Sequence, residues 1–166
     1  MKKQKKEWVK NNKSKTNESV KKYRENNPDK IKEQYNKSVK KRKAVDELFR
    51  LKCGVRSSIS KTLKRFNINK NDKTSDILGC SFEEFKIYLE SKFEPWMNWE
   101  NYGLYNGELN YGWDIDHIEP LSSAKTEESV FQLCNYTNLQ PLCSKINRDI
   151  KKNKHTNIMF ELSLDF

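Results

Sequence analysis

The chain has little that is apolar: 34% of its 166 residues are hydrophobic, 34% are charged, and the mean hydropathy is −1.03. Part of it therefore cannot bury enough apolar surface to offset the entropy of ordering, and that part is expected to be helical or extended and solvent-facing. No apolar run approaches the roughly 18 residues of a membrane-crossing helix. The basic stretch also holds too few Leu, Phe or Trp for a firm interfacial helix. The N-terminus lacks the apolar centre of a signal peptide, so the expected setting is intracellular, neither secreted nor membrane-bound. Cys53, Cys80, Cys134 and Cys143 form no C-x-x-C pair. The usual spacing of a structural zinc site is thus missing, and free, buried thiols are expected instead.

What is abundant is positive charge. Residues 1–70 carry 24 Lys or Arg against 7 acids, whereas residues 71–166 carry 9 against 16. A block this cationic attracts polyphosphate and releases counterions on contact, while the acidic remainder suggests carboxylates with another task, such as holding a cation. The length fits one compact domain with an appendage. We place the appendage at 1–44, a basic DNA-binding arm, and the domain at 45–166, with a helical lead-in over 45–93.

Within the arm an aromatic is followed by Asn and then by basic residues: Trp8 with Asn11 and Asn12, Tyr23 with Asn26 and Asn27, Tyr35 with Asn36. Asn26-Asn27-Pro28 should stop one helix, and Pro28 can open another at its first turn. The arm is accordingly read as two or three short basic helices or as a partly disordered tail. The cations Lys40, Lys41, Arg42 and Lys43 are its candidate DNA contacts.

Over 45–66 apolar residues recur at helical spacing: Val45, Leu48, Phe49, Leu51, Val55, Ile59 and Leu63. Arg56, Lys61, Lys64 and Arg65 cover the other face and are candidate phosphate contacts. Gly54 is a possible interruption. Asp76-Ile77-Leu78 reads as a short helical turn ended by Gly79. Ser81-Phe82-Glu83-Glu84 has the form of a capping box, predicting a helix to about residue 93 with Phe82, Phe85, Ile87, Tyr88, Leu89 and Phe93 toward the core. Residues 96–112 read as a loop, with a hairpin at Tyr105-Asn106-Gly107-Glu108 and tryptophans as core anchors.

The chemistry-bearing residues lie further on. Residues 113–121 and 136–143 read as strands, followed by a helix over 144–154. Strand alternation would send Asp116 and His117 to opposite faces, so both serve one site only if the strand ends or bends there. Pro120 makes that ending plausible. On the helix Ile146 and Ile150 are expected to pack on the strands, leaving Asn147 and Lys151 to face a ligand. Asp114, two residues from Asp116, is a rival metal ligand, and Glu119 reads as a rim residue.

The ordered set Asp116-His117, then Thr137-Asn138-Leu139-Gln140-Pro141-Leu142, then Asn147-Arg148-Asp149-Ile150-Lys151-Lys152 resembles the HNH endonuclease family. The likeness of the site covers about 45 residues. It extends more loosely to Leu78-Gly79-Cys80-Ser81-Phe82-Glu83-Glu84-Phe85 and Trp99-Glu100-Asn101-Tyr102-Gly103, which look like the lead-in of phage and viral homing-type endonucleases. The resemblance implies an α+β fold with a ββα-metal core over 113–155 and metal-dependent cleavage of double-stranded DNA by a monomer or DNA-induced dimer, with a restriction or defence nuclease, or a DNA-binding protein without turnover, as the alternatives. It casts His117 as general base, Asp116 and Asn147 as ligands of Mg²⁺ or Mn²⁺, and Asn138 as the residue that aims His117. Arg148, Lys151 and Lys152 would contact phosphate or stabilise the transition state. The third family position is Asn147 here instead of His, which favours oxygen-preferring metals over zinc.

Overall fold

Asn27 and Pro28 divide the basic stretch into two helices, α1 (Lys13–Asn26) and α2 (Pro28–Val45), in a computed structural model that describes residues 12–151, Trp8 and Lys154. Pro28 sits at the start of α2, where an amide donor is not needed. Neither helix buries a residue. They rest instead on pairs four apart, such as Glu18–Lys22 at 3.0 Å and Arg42–Asp46 at 3.1 Å, each contributing a few tenths of a kcal/mol. The aromatic-then-Asn repetition has a shared geometry: Asn12 Nδ2 donates to the Trp8 carbonyl and Asn27 Nδ2 to that of Tyr23, both at 2.9 Å. This unit spans Met1–Asp46, and a second unit spans Glu47–Phe166.

The second unit is α+β, with one two-stranded antiparallel sheet among its described residues. Its first helix, α3 (Glu47–Arg65), runs unbroken through Gly54, where a Cβ would come within 2.8 Å of the Tyr102 hydroxyl. Leu51, Val55, Ile59 and Leu63, four residues apart, form its buried stripe. Val45 does not join that stripe: it ends α2 and is 85% exposed.

Two short helices cover the stripe. The first, α4 (Thr74–Leu78), stops at Gly79, whose φ of 82° is open to glycine. The second, α5 (Phe82–Glu90), begins with the capping box: Glu84 N donates to Ser81 Oγ at 3.1 Å, and Ser81 N donates to the Glu84 carboxylate at 2.8 Å. It ends at Glu90, three residues short of the predicted end, and Ile87 lies on its solvent face. Phe82, Phe85 and Leu89 join Met97, Trp99 and Trp113 in the core, each worth about 1.5–3 kcal/mol of transfer free energy.

The hairpin expected at 105–108 does not form. Asn106 turns its side chain back to accept from the Glu108 amide at 2.9 Å, Gly107 takes a φ of 87°, and no described strand flanks them. Loop 96–112 is held by its tryptophans instead.

The strands are shorter than read. β1 (Trp113–His117) pairs with β2 (Leu139–Cys143), placing Asp116 opposite Gln140 and His117 opposite Leu139. Pro120 then leads into a tight turn, Leu121–Ser123, and another, Tyr136–Asn138, precedes β2. Between them α6 (Glu127–Leu133), which was not anticipated, is capped by Thr126 Oγ accepting from Ser129 N at 3.2 Å. Its signal is a capping Thr followed by two acids.

After β2 the chain winds into a π-helix, Ile146–Lys151. The expected inward face is inverted there: Ile150 is 48% exposed and Lys151 only 2%. The wider i→i+5 turn shifts the phase that α-helical spacing assumes, and a carboxylate draws the Lys151 ammonium inward. No described helix is long and apolar enough to cross a membrane.

Candidate functional site

The end of β1, the π-helix and the last turns of α3 border one open cleft. Its volume is about 370 Å³, and its lining includes Ser58 and Arg65 from α3, Asp116 and His117 from β1, and Asn147, Arg148 and Lys151 from the π-helix. Asp116 and His117 are the last two residues of β1, and both line it at the point where the strand ends. His117 and Asn147 also border a second cavity of about 270 Å³, lined by Val55, Ile59, Tyr102 and Leu139.

Burial pushes the His117 imidazole below its ordinary pKa; the Asp116 carboxylate opposes that shift and the Lys151 ammonium adds to it. The ring is therefore neutral at pH 7, the form that accepts a proton. The sign for stability follows. The unfolded chain takes up this proton near pH 6.5 and the folded chain only at lower pH. His117 thus costs stability as pH falls below about 6.5, and the loss levels off below the lowered folded value. Urea midpoints between pH 7.5 and 5 should fall in the native protein and fall less steeply in His117→Gln.

Asn138 holds the backbone just after His117. Its Oδ1 accepts from the Glu119 amide at 2.9 Å, and its Nδ2 donates to the carbonyls of Glu119 at 3.0 Å and Leu133 at 2.9 Å. The Ile118 amide donates to the Asn138 carbonyl at 2.8 Å. One side chain thereby joins the exit of β1 to the end of α6. Asn138→Ala removes three hydrogen bonds to part-buried backbone groups, and a loss of about 2–3 kcal/mol is expected in urea unfolding.

Asp116 is 8% exposed and accepts at Oδ2 from Gln140 Nε2 at 3.2 Å and from Lys151 Nζ. The Lys151 ammonium donates to the His117 carbonyl as well. Asp114, the rival ligand, is engaged elsewhere: both its oxygens accept from Arg148 at 2.7 Å. The Arg148 guanidinium lies 4.8 Å from the Tyr105 ring centre, and the Tyr105 hydroxyl donates to Asp149 at 2.8 Å. Arg148 is thus a braced cation at the cleft edge. Lys152 and His155 lie outside the described residues.

The donors suit a hard cation. Asp116, a carboxylate, and Asn147, an amide, line a cleft of about 370 Å³, and oxygen donors of this kind suit Mg²⁺, which keeps part of its water shell. Cys134 and Cys143 are buried as free thiols, and burial raises the Cys134 thiol to about 11. Among the described residues no three His, Cys, Asp or Glu come together as a metal-binding group.

Of the proposed DNA contacts, Arg56, Lys61, Lys64 and Arg65 are exposed on α3, and Arg65 reaches the cleft. Arg56 lies 5.4 Å from the Phe82 ring centre. Lys40, Lys41, Arg42 and Lys43 are exposed on α2, in the other unit. Two cleft neighbours were missed from sequence. Gln140 is legible once the register is known, being directly across from Asp116; Ser58 sits seven residues before Arg65, two helical turns away on one face.

No family model matches the chain. Two uncharacterized proteins of Acanthamoeba polyphaga mimivirus are similar to it. One is 36% identical over 124 residues, covering 74% of this chain and 50% of the relative. The other is 28% identical over 123 residues, covering 73% and 50%. The chain spans about half the length of the curated relatives it matches. No solved structure matches.

Proposed function

We propose that the chain is a metal-dependent DNA endonuclease of the HNH type, with 113–155 as its ββα-metal core. The observation that carries this reading is the convergence of Asp116, His117 and Asn147 on one cleft, with Asn138 clamping the backbone beside His117. Those are the positions at which the sequence resembles the family.

In this reading neutral His117 takes the proton from the attacking water. Asp116 and Asn147 hold Mg²⁺ or Mn²⁺, which supplies charge stabilisation at the phosphate and the leaving oxygen when bound. Arg65 and braced Arg148 present cations along the same cleft, where a phosphodiester would be seated. Asn138 keeps the His117 backbone from drifting. The basic faces of α1, α2 and α3 supply sequence-independent attraction for duplex DNA.

The reading is tested on the ends it produces. DNA cut in the presence of Mg²⁺ is expected to carry 5′-phosphate and 3′-hydroxyl ends and to be resealed by ligase alone; products that need end repair contradict it. Removing residues 1–44 should weaken duplex binding and flatten its salt dependence, because fewer counterions are released. An unchanged salt slope would remove the arm from the DNA interface. A homing-type role accords with the viral origin of both relatives. A binding protein without turnover is the competing outcome, recognised by tight retardation of DNA with no cutting at any metal concentration.

A further inference from the structure

Asp116 and Lys151 are the two buried charged side chains among the described residues, and they face each other. At 2% exposure an ammonium is tolerated only with a counter-charge and hydrogen-bond partners. Lys151 has both: Asp116 Oδ2 and the His117 carbonyl. One side chain therefore neutralises the carboxylate and grips the backbone of the residue beside it. A divalent ion arriving at Asp116 would set its charge against that ammonium, and in so dry a place the repulsion is poorly screened. The two cations compete for one carboxylate.

We infer that Lys151 is the built-in counter-ion of Asp116, filling the carboxylate's cation place until a divalent ion displaces it. This rests on the reading of Asp116 as a metal ligand. Two consequences follow from the geometry. The site keeps its charge balance and shape without an ion. Ion uptake is weaker than the oxygen donors alone would give, because the ammonium must be moved. Lys151 also lines the open cleft, so a displaced ammonium has solvent or a phosphate oxygen to turn toward. Its sequence position does not reveal this: α-helical spacing makes Lys151 a cation facing outward to a ligand, and the π-turn brings it in.

The test compares the full chain with Lys151→Met and Lys151→Arg, measuring Mn²⁺ binding by electron paramagnetic resonance and thermal unfolding with and without Mn²⁺. Lys151→Met is expected to bind Mn²⁺ about tenfold more tightly, a change of roughly 1.4 kcal/mol. Its unfolding temperature should drop without the ion and recover with it, whereas the native chain should gain little. Lys151→Arg, which keeps the charge, should retain the weak native affinity, and Asp116→Asn should abolish the gain in the Lys151→Met background. Equal or weaker Mn²⁺ binding by Lys151→Met overturns the inference, as does a Lys151→Met chain that stays unfolded with Mn²⁺ present. If neither protein takes up Mn²⁺ and neither cuts DNA, the nuclease reading itself fails; uptake and cutting by both with equal affinity remove only the role of Lys151.

Discussion

His117→Ala is expected to lower the single-turnover rate of DNA cleavage by about 10²- to 10⁴-fold, the usual range for loss of a general base, while duplex affinity stays nearly unchanged. The imidazole is half-buried and held neutral, so it contributes no charge to phosphate binding. Arg65 remains in the cleft of the variant, and the exposed cations of α3 keep the attraction for the backbone. Rates with Mg²⁺ and gel retardation with Mg²⁺ withheld separate the two effects. A variant that cuts at the native rate would remove His117 from the chemistry. A parallel loss of affinity would recast it as a residue that positions DNA.

Trp113→Ala should cost about 3–5 kcal/mol of stability, near the top of the range for a single core truncation. The indole is fully buried, with ring centres of Phe93, Tyr102 and Trp99 at 4.8, 4.6 and 5.3 Å. Its Nε1 donates to the Asn98 carbonyl at 2.7 Å, so the truncation leaves an orphaned acceptor beside a large void. Trp113 is also the first residue of β1 and pairs with Cys143. The strand that carries Asp116 and His117 would loosen with it, and any DNA cleavage should fall together with folding. Urea unfolding gives the magnitude, and Trp113→Phe, which keeps most ring contacts, should lose only about 1–2 kcal/mol for the hydrogen bond. A loss below 1 kcal/mol for Trp113→Ala would mean that loop 96–112 holds the sheet without it.

Local chemistry made several elements legible from the residues alone. Ser81 and Glu84 mark the start of α5, Gly79 marks the end of α4, and Asn27 with Pro28 separates α1 from α2, each through a bond or a backbone angle set within a few residues. The apolar stripe from Leu51 to Leu63 was equally plain, because burial at helical spacing needs no knowledge of the partner. The errors came where tertiary contacts overrule local preference. Asn106-Gly107 favours a hairpin, but its neighbours Leu104, Tyr105 and Leu109 are exposed and find no strand to pair with among the described residues. Ile150 is exposed and Lys151 buried, because a carboxylate invisible to periodicity recruits the lysine at the inner side of the cleft.

For the site, sequence order supplied Asp116, His117, Asn138 and Asn147; the fold brings Asp116, His117 and Asn147 to one cleft and bonds Asn138 to the backbone just after His117. It could not supply pairings across the sheet or between strand and π-helix. Asp114 looks like a ligand by its spacing from Asp116, yet both its oxygens are taken by Arg148. Arg148 in turn looks free in sequence, and is braced by that carboxylate and by the Tyr105 ring. Such contacts join residues more than thirty positions apart, beyond the reach of any local pattern.

The most direct measurement is incubation of supercoiled plasmid with the purified chain and with His117→Ala, each in Mg²⁺ and in EDTA, followed by gel mobility. Nicked or linear plasmid only with the native chain in Mg²⁺ is the expected result. Cutting that survives EDTA or the loss of His117, or plasmid retarded but never cut across a range of target sequences, would contradict a metal-dependent nuclease built on this cleft.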